Sequence, residues 1–167
     1  MYRTALLDDR SKREFYAGLK NELLQLIEYE DEWLPALCNA TALLGHQLRD
    51  INWAGFYIVK NGLLILGPFQ GKPACSAIVL GSGVCGTVAA SGETLVVPNV
   101  HDFPGHIACD EASQSEIVLP VIVEGCVVAV LDIDSPVPDR FSTDDVLGLE
   151  AYTALLSRYI DWKAVNL

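Results

Sequence analysis

The chain has 167 residues, 51% hydrophobic and 20% charged. That is enough for one domain burying roughly 70% of its unfolded surface, with too few charges for disorder. Eleven Lys and Arg against 22 Asp and Glu leave a net charge of −11, which argues against nucleic acid or an anionic membrane as partner, since both require a basic face.

In chain order, residues 12–28 read as an amphipathic helix, with Phe15, Leu19, Leu23, Leu26 and Ile27 at three- and four-residue steps. A second helix is expected over 32–48, carrying Pro35 in its first turn, where the missing N–H costs nothing. Strands follow at 52–60 and 63–69, joined by Asn61-Gly62, a strong two-residue hairpin signal. A strand at 76–80, a turn at Gly81-Ser82-Gly83, a short helix over 84–91 and a strand at 93–98 come next. Residues 99–115 form a long polar loop, and strands at 116–123 and 126–134 flank the tight turn Glu124-Gly125. The last helix starts at Ser142, with Asp145 completing a capping-box variant, and runs to about 164.

This order describes one α+β domain over 1–167, with helices about 12–48, sheet and pocket about 50–136, and a closing helix about 142–164. The helices cover one face of a mostly antiparallel sheet, and a pocket on the other face lies under the 70–115 segment. The apolar runs are strand-sized, far short of the ~20 residues of a spanning helix. Nothing near the start resembles a targeting signal. A cytoplasmic location is therefore expected, with the five cysteines reduced rather than paired in a disulfide framework.

Several residues stand out chemically. Alternation puts Trp53, Gly55 and Tyr57 on one face of the first strand and Ala54, Phe56 and Ile58 on the other. Two rings astride a glycine leave a slot suited to a methyl, thioether or cation, although two core aromatics with polar tips fit the pattern too. Asp132 and Asp134 share a face of the last strand, as a solvated strand end or as an acidic pocket with a raised pKa. Glu116, across the hairpin, is expected near them.

Cys38 and Cys126 sit in helix and strand patterns and read as inert core residues. Cys85 follows a turn at a helix start, where N–H groups favour a thiolate. Cys109, in a polar loop between His106 and Asp110, reads as reactive or metal-binding. A zinc site from Cys75, Cys85, His101, His106 and Cys109 lacks paired Cys-x2-Cys hooks, so no metal is expected.

Together these segments resemble the free methionine-R-sulfoxide reductases, a family of GAF-domain enzymes, over about 29–161. The resemblance is carried by Asn52-Trp-Ala-Gly-Phe-Tyr, Leu66-Gly-Pro-Phe-Gln-Gly-Lys-Pro-Ala-Cys75 and Gly81-x-Gly-Val-Cys85-Gly. It continues through Val97-Pro-Asn-Val-His-Asp-Phe-Pro-Gly-His-Ile-Ala-Cys109-Asp, Ser113-x-Ser-Glu116 and Leu131-Asp-Ile-Asp-Ser. It implies a GAF-like fold that pairs as a homodimer through its helices.

The resemblance also implies reduction of free L-methionine-(R)-S-oxide in oxidative-stress repair. Cys109 is then the nucleophile, Cys75 the resolving cysteine and Cys85 an alternative to it. Glu116 is the candidate proton donor, and Trp53, Tyr57, Glu116, Asp132 and Asp134 bind the substrate. The disulfide is recycled by thioredoxin and its NADPH-dependent system, with no bound cofactor. A non-catalytic GAF sensor of a small molecule or of redox state is the alternative.

Overall fold

The computed structural model describes residues 11–107 and 110–165. Its elements are helices α1 (Lys12–Ile27), α2 (Trp33–Gln47), α3 (Gly83–Ser91) and α4 (Thr143–Tyr159), and strands β1 (Trp53–Lys60), β2 (Leu63–Gly71), β3 (Ala77–Val79), β4 (Leu95–Val97), β5 (Ser115–Val123) and β6 (Cys126–Ser135). The strands form one sheet in the order β3-β2-β1-β6-β5-β4, antiparallel at every pairing. Both hairpin turns have positive φ at their two central residues: Asn61 and Gly62 in the first, Glu124 and Gly125 in the second. That backbone matches the twist of the flanking strands.

Alternation along the strands sorts the core into two layers. Ala54, Phe56 and Ile58 of β1, Ile117 and Leu119 of β5, and Leu131 and Ile133 of β6 face α1, α2 and α4. Trp53, Tyr57, Val118 and Val130 face the other way, against Val84, Cys85 and Val88 of α3. One face of the sheet is therefore a three-helix core, and the other carries α3 and the loops, as a mostly antiparallel α+β sheet should.

The structure departs from the sequence expectations where tertiary contacts intervene. Helix α4 stops at Tyr159 rather than near 164, because Ile160 turns extended and Trp162 folds back. The Trp162 indole N–H donates to the Leu156 carbonyl at 3.0 Å, which also accepts the Ile160 N–H at 3.2 Å. Strand β2 continues to Gly71 because Ala54 and Trp53 of β1 pair with Gln70 and Gly71. Cys38 and Cys126 are exposed, not core. The inward positions of α2 go to Leu37, Ala40, Thr41 and Leu44, and Cys126 opens β6 at the hairpin end. Among the described residues, no helix is long and apolar enough to cross a membrane.

Candidate active site

A cavity of about 30 Å³ lies on the loop-covered face of the sheet, lined by Trp53 and Tyr57 of β1, Cys85 of α3, Glu116 of β5, and Asp132 and Asp134 of β6. That space holds a water or two. His106 and Ile107 close it from above, Ile107 lying against Gly83, the first residue of α3. The register explains the convergence: Glu116 lies directly opposite Asp134, and Asp132 is opposite Gly55 of β1.

The expected slot astride Gly55 is filled. The Trp53 ring folds across the glycine, where an added Cβ would stand 2.5 Å from its Cη2 and would also strike Phe69. Trp53 stacks on Phe69 with centroids 5.4 Å apart and lies 6.0 Å from Tyr57, so the aromatics form a continuous wall. Their polar tips tie down the chain leading to Cys75. The Trp53 indole N–H donates to the Lys72 carbonyl at 3.1 Å, and the Tyr57 hydroxyl donates to the Cys75 carbonyl at 3.0 Å.

Gly55→Ala should therefore displace the aromatic wall. Overpacking of this kind costs about 1–3 kcal/mol, so a lower melting temperature with altered tryptophan emission is expected. An unchanged melt and emission spectrum would contradict this account of the wall.

The carboxylates are buried: Glu116 is 5% and Asp132 7% exposed. Burial is the main force raising the pKa of Glu116, Asp132 and Asp134 well above the carboxylate range, and their mutual repulsion adds to it. Asp132 Oδ1 has no hydrogen-bond partner among the described residues. His106 Nε2 lies 3.3 Å from Glu116 Oε2, and burial lowers the imidazole pKa while it raises that of the carboxyl.

The same environment overturns the expected Cys85 thiolate. Burial first, then the charges of Asp132 and Glu116, push its pKa well up. The helix N-terminus is too weak to compensate, being worth about 0.3–1 kcal/mol at an ordinary surface site. Ligand atoms of Cys85, Glu116 and Asp132 lie within 4.8 Å of one another, close enough to enclose a metal. Hydrogen bonding links Asp132 to both Cys85 and Glu116.

A second polar network was not visible in the sequence. Asn52 Nδ2 donates to Asp110 Oδ2 at 3.1 Å and to Ser113 Oγ at 3.0 Å, and Lys72 Nζ donates to Asp110 Oδ1 at 3.0 Å. The Ala112 N–H, Lys72 and Asn52 together pull the Asp110 carboxyl down to about 2, the opposite direction from Glu116, Asp132 and Asp134. The available signal was the recurrence of Asn, Lys and Asp within the motif segments. Cys75 is half-buried and Cys85 buried at the cavity. Cys109 lies outside the described residues, while Ile107 and Asp110 to either side both line the cavity.

Comparison with known proteins gives this site its context. Residues 34–160 match the GAF domain. The chain is 49% identical over 150 residues to the free methionine-R-sulfoxide reductase of Escherichia coli K12, spanning 90% of this chain and 91% of that protein. It is 43% identical to the enzyme of that name from Saccharomyces cerevisiae, over 83% of this chain and 86% of the yeast protein. Its backbone superposes with a TM-score of 0.90 on the free methionine-R-sulfoxide reductase of Neisseria meningitidis in complex with its substrate, at 35% identity and 95% coverage of both chains. With the buried carboxylates, aromatic wall and GAF sheet in place, the chain belongs to the free methionine-R-sulfoxide reductase family of GAF-domain proteins.

Proposed function

We propose that this protein reduces free L-methionine-(R)-S-oxide to methionine with Cys109 as nucleophile. The observation that carries this reading is the cluster of buried Glu116 and Asp132 with half-buried Asp134 facing an aromatic wall, in a cavity bordered by the residues flanking Cys109. Asp132 and Asp134 receive the substrate ammonium, for which the unpartnered Asp132 Oδ1 is a ready acceptor. A peptide-bound residue lacks that group and is refused. Trp53 packs on the methyl and sulfur. Because the cavity is smaller than an amino acid, His106 and Ile107 swing outward as substrate enters.

The Cys109 thiolate attacks the sulfoxide sulfur, and oxygen passes to the cysteine as it takes a proton from Glu116. Methionine leaves, with a sulfenic acid on Cys109 and a carboxylate on Glu116. A Cys75 thiol condenses with the sulfenic acid, forming the disulfide and releasing water. Cys85 is the slower alternative, since its raised pKa keeps it a thiol and thiolate is the attacking form. A thioredoxin dithiol, sustained by NADPH, then reduces the disulfide. The chemistry needs neither metal nor bound cofactor and suits repair of oxidised methionine in the reducing cytoplasm.

The test is consumption of the separated R and S isomers, with dithiothreitol and then thioredoxin as reductant, by wild type and Cys109→Ser. Loss of the R isomer alone, abolished in the serine variant, is the expected result. No turnover of either isomer by reduced wild type would leave a non-catalytic GAF sensor as the better account.

A further inference from the structure

We infer that His106 is the proton conduit that recharges Glu116 between turnovers. The inference rests on the proposed reduction and gives His106 a chemical part in it beyond covering the cavity. Each turnover strips a proton from a Glu116 side chain only 6% exposed. Its described titratable neighbours are Asp132 and Asp134 on β6, Cys85 on α3 and His106 on the covering segment. Two of these are acids that compete for the same proton, and Cys85 is a thiol 4% exposed. His106 alone among them is basic, and its side chain is 14% exposed. With Nε2 at 3.3 Å from Glu116 Oε2, one ring nitrogen meets the acid while the side chain stays partly exposed.

The exchange balances. Glu116 carboxylate takes the Nε2 proton as Nδ1 accepts one from water, leaving the ring as the opposite tautomer, and exchange of its ring protons with water restores the Nε2–H form before the next cycle. The proton entering through His106 replaces the one Cys109 gives to solvent when the reduced thiol becomes thiolate again. No net charge is left in the cavity after a cycle, as a buried acid cluster requires. A neutral imidazole suits this exchange, because it holds a proton at one nitrogen and a lone pair at the other.

The stored proton makes the proposal testable. In pre-reduced protein the first turnover uses the proton already on Glu116, so His106→Ala should keep the single-turnover burst of methionine. Later turnovers, with saturating dithiothreitol, should slow by about 10²-fold, the usual contribution of a positioned proton carrier, and should be restored by added imidazole. His106→Gln, which fills the space without carrying protons, should slow likewise but not respond to imidazole. Steady-state turnover at the wild-type rate in both variants would overturn the proposal. A burst lost together with a raised pKa of Cys109 alkylation would also overturn it, assigning His106 to thiol activation. Pre-reduced wild type that forms no methionine removes the reductase reading itself, and the relay with it.

Discussion

Glu116→Gln is expected to lower kcat for methionine sulfoxide reduction by about 10²–10⁴-fold, the range for loss of a general acid, with little change in KM. The pH profile carries the stronger test. Burial and Asp134 raise the Glu116 pKa well above the ordinary carboxyl value. Wild-type activity should therefore persist while this carboxyl is protonated and fall as pH rises through that elevated pKa. The amide cannot titrate, so the variant should lose this limb.

Stability should move the other way. The unfolded carboxyl ionises near pH ~4.3, so at neutral pH holding Glu116 protonated in the fold opposes folding, and Gln removes that penalty. A variant that is slower yet melts no lower than wild type fits the acid role. Full activity with an unchanged pH profile would move the proton donor to Asp132 or Asp134.

Asp145→Ala should cost stability without touching the site. Asp145, 1% exposed, is the anchor between α1 and α4. Its oxygens accept from Lys12 Nζ at 2.6 Å, the Ser142 N–H at 2.7 Å, the Tyr16 hydroxyl at 2.7 Å and Arg140 Nη1 at 3.2 Å. Removing it strands the buried Tyr16 hydroxyl, takes the carboxylate counter-charge from Arg140 and opens the start of α4. One-sided loss of a buried pair costs about 3–5 kcal/mol. The solvated Lys12 places this variant at the lower end, a fall in melting temperature of roughly 6–12 °C for a domain of this size.

Burial alone would raise the Asp145 pKa, but the hydrogen bonds from Lys12, Ser142 and Tyr16 prevail and hold it well below the ordinary value. A depressed carboxyl contributes stability that is present above its unfolded pKa of about 3.9 and is lost as pH falls through the folded value. The variant should therefore lie furthest below wild type near neutrality and converge with it in strong acid. A shift under about 2 °C at neutral pH, where 1 kcal/mol moves the midpoint by roughly that much, would contradict the anchoring role.

These two substitutions probe opposite faces of one sheet. The helical face lowers the pKa of its buried acid by surrounding it with cationic and hydrogen-bond donors, and the cavity face raises those of its acids by burial and mutual repulsion. The contrast follows from what each carboxyl meets. Asp145 has Lys12, Arg140, a hydroxyl and a helix N–H, whereas Glu116 meets two acids, a thiol and a half-buried imidazole.

The sequence by itself determined the features that depend on neighbours along the chain. Alternation is enough to put Trp53 and Tyr57 on one face and Phe56 on the other, and to set Asp132 and Asp134 together. Asn61-Gly62 and Glu124-Gly125 define the hairpins through their positive φ, and Ser142 with Asp145 starts α4. Tertiary structure alone decided the rest. Whether the acidic strand end was solvated or buried depended on a cover that includes His106, Ile107, Asp110 and Ser113, and that choice reversed the expected Cys85 thiolate. The Asn52–Asp110 bond joins residues 58 apart, and the His106–Glu116 contact joins a loop to a strand. Trp53 filling its own slot needed Phe69 from the neighbouring strand. Local patterns set which way a side chain points, whereas a pKa or a hydrogen bond depends on what the folded chain brings against it, and no period in the sequence records that.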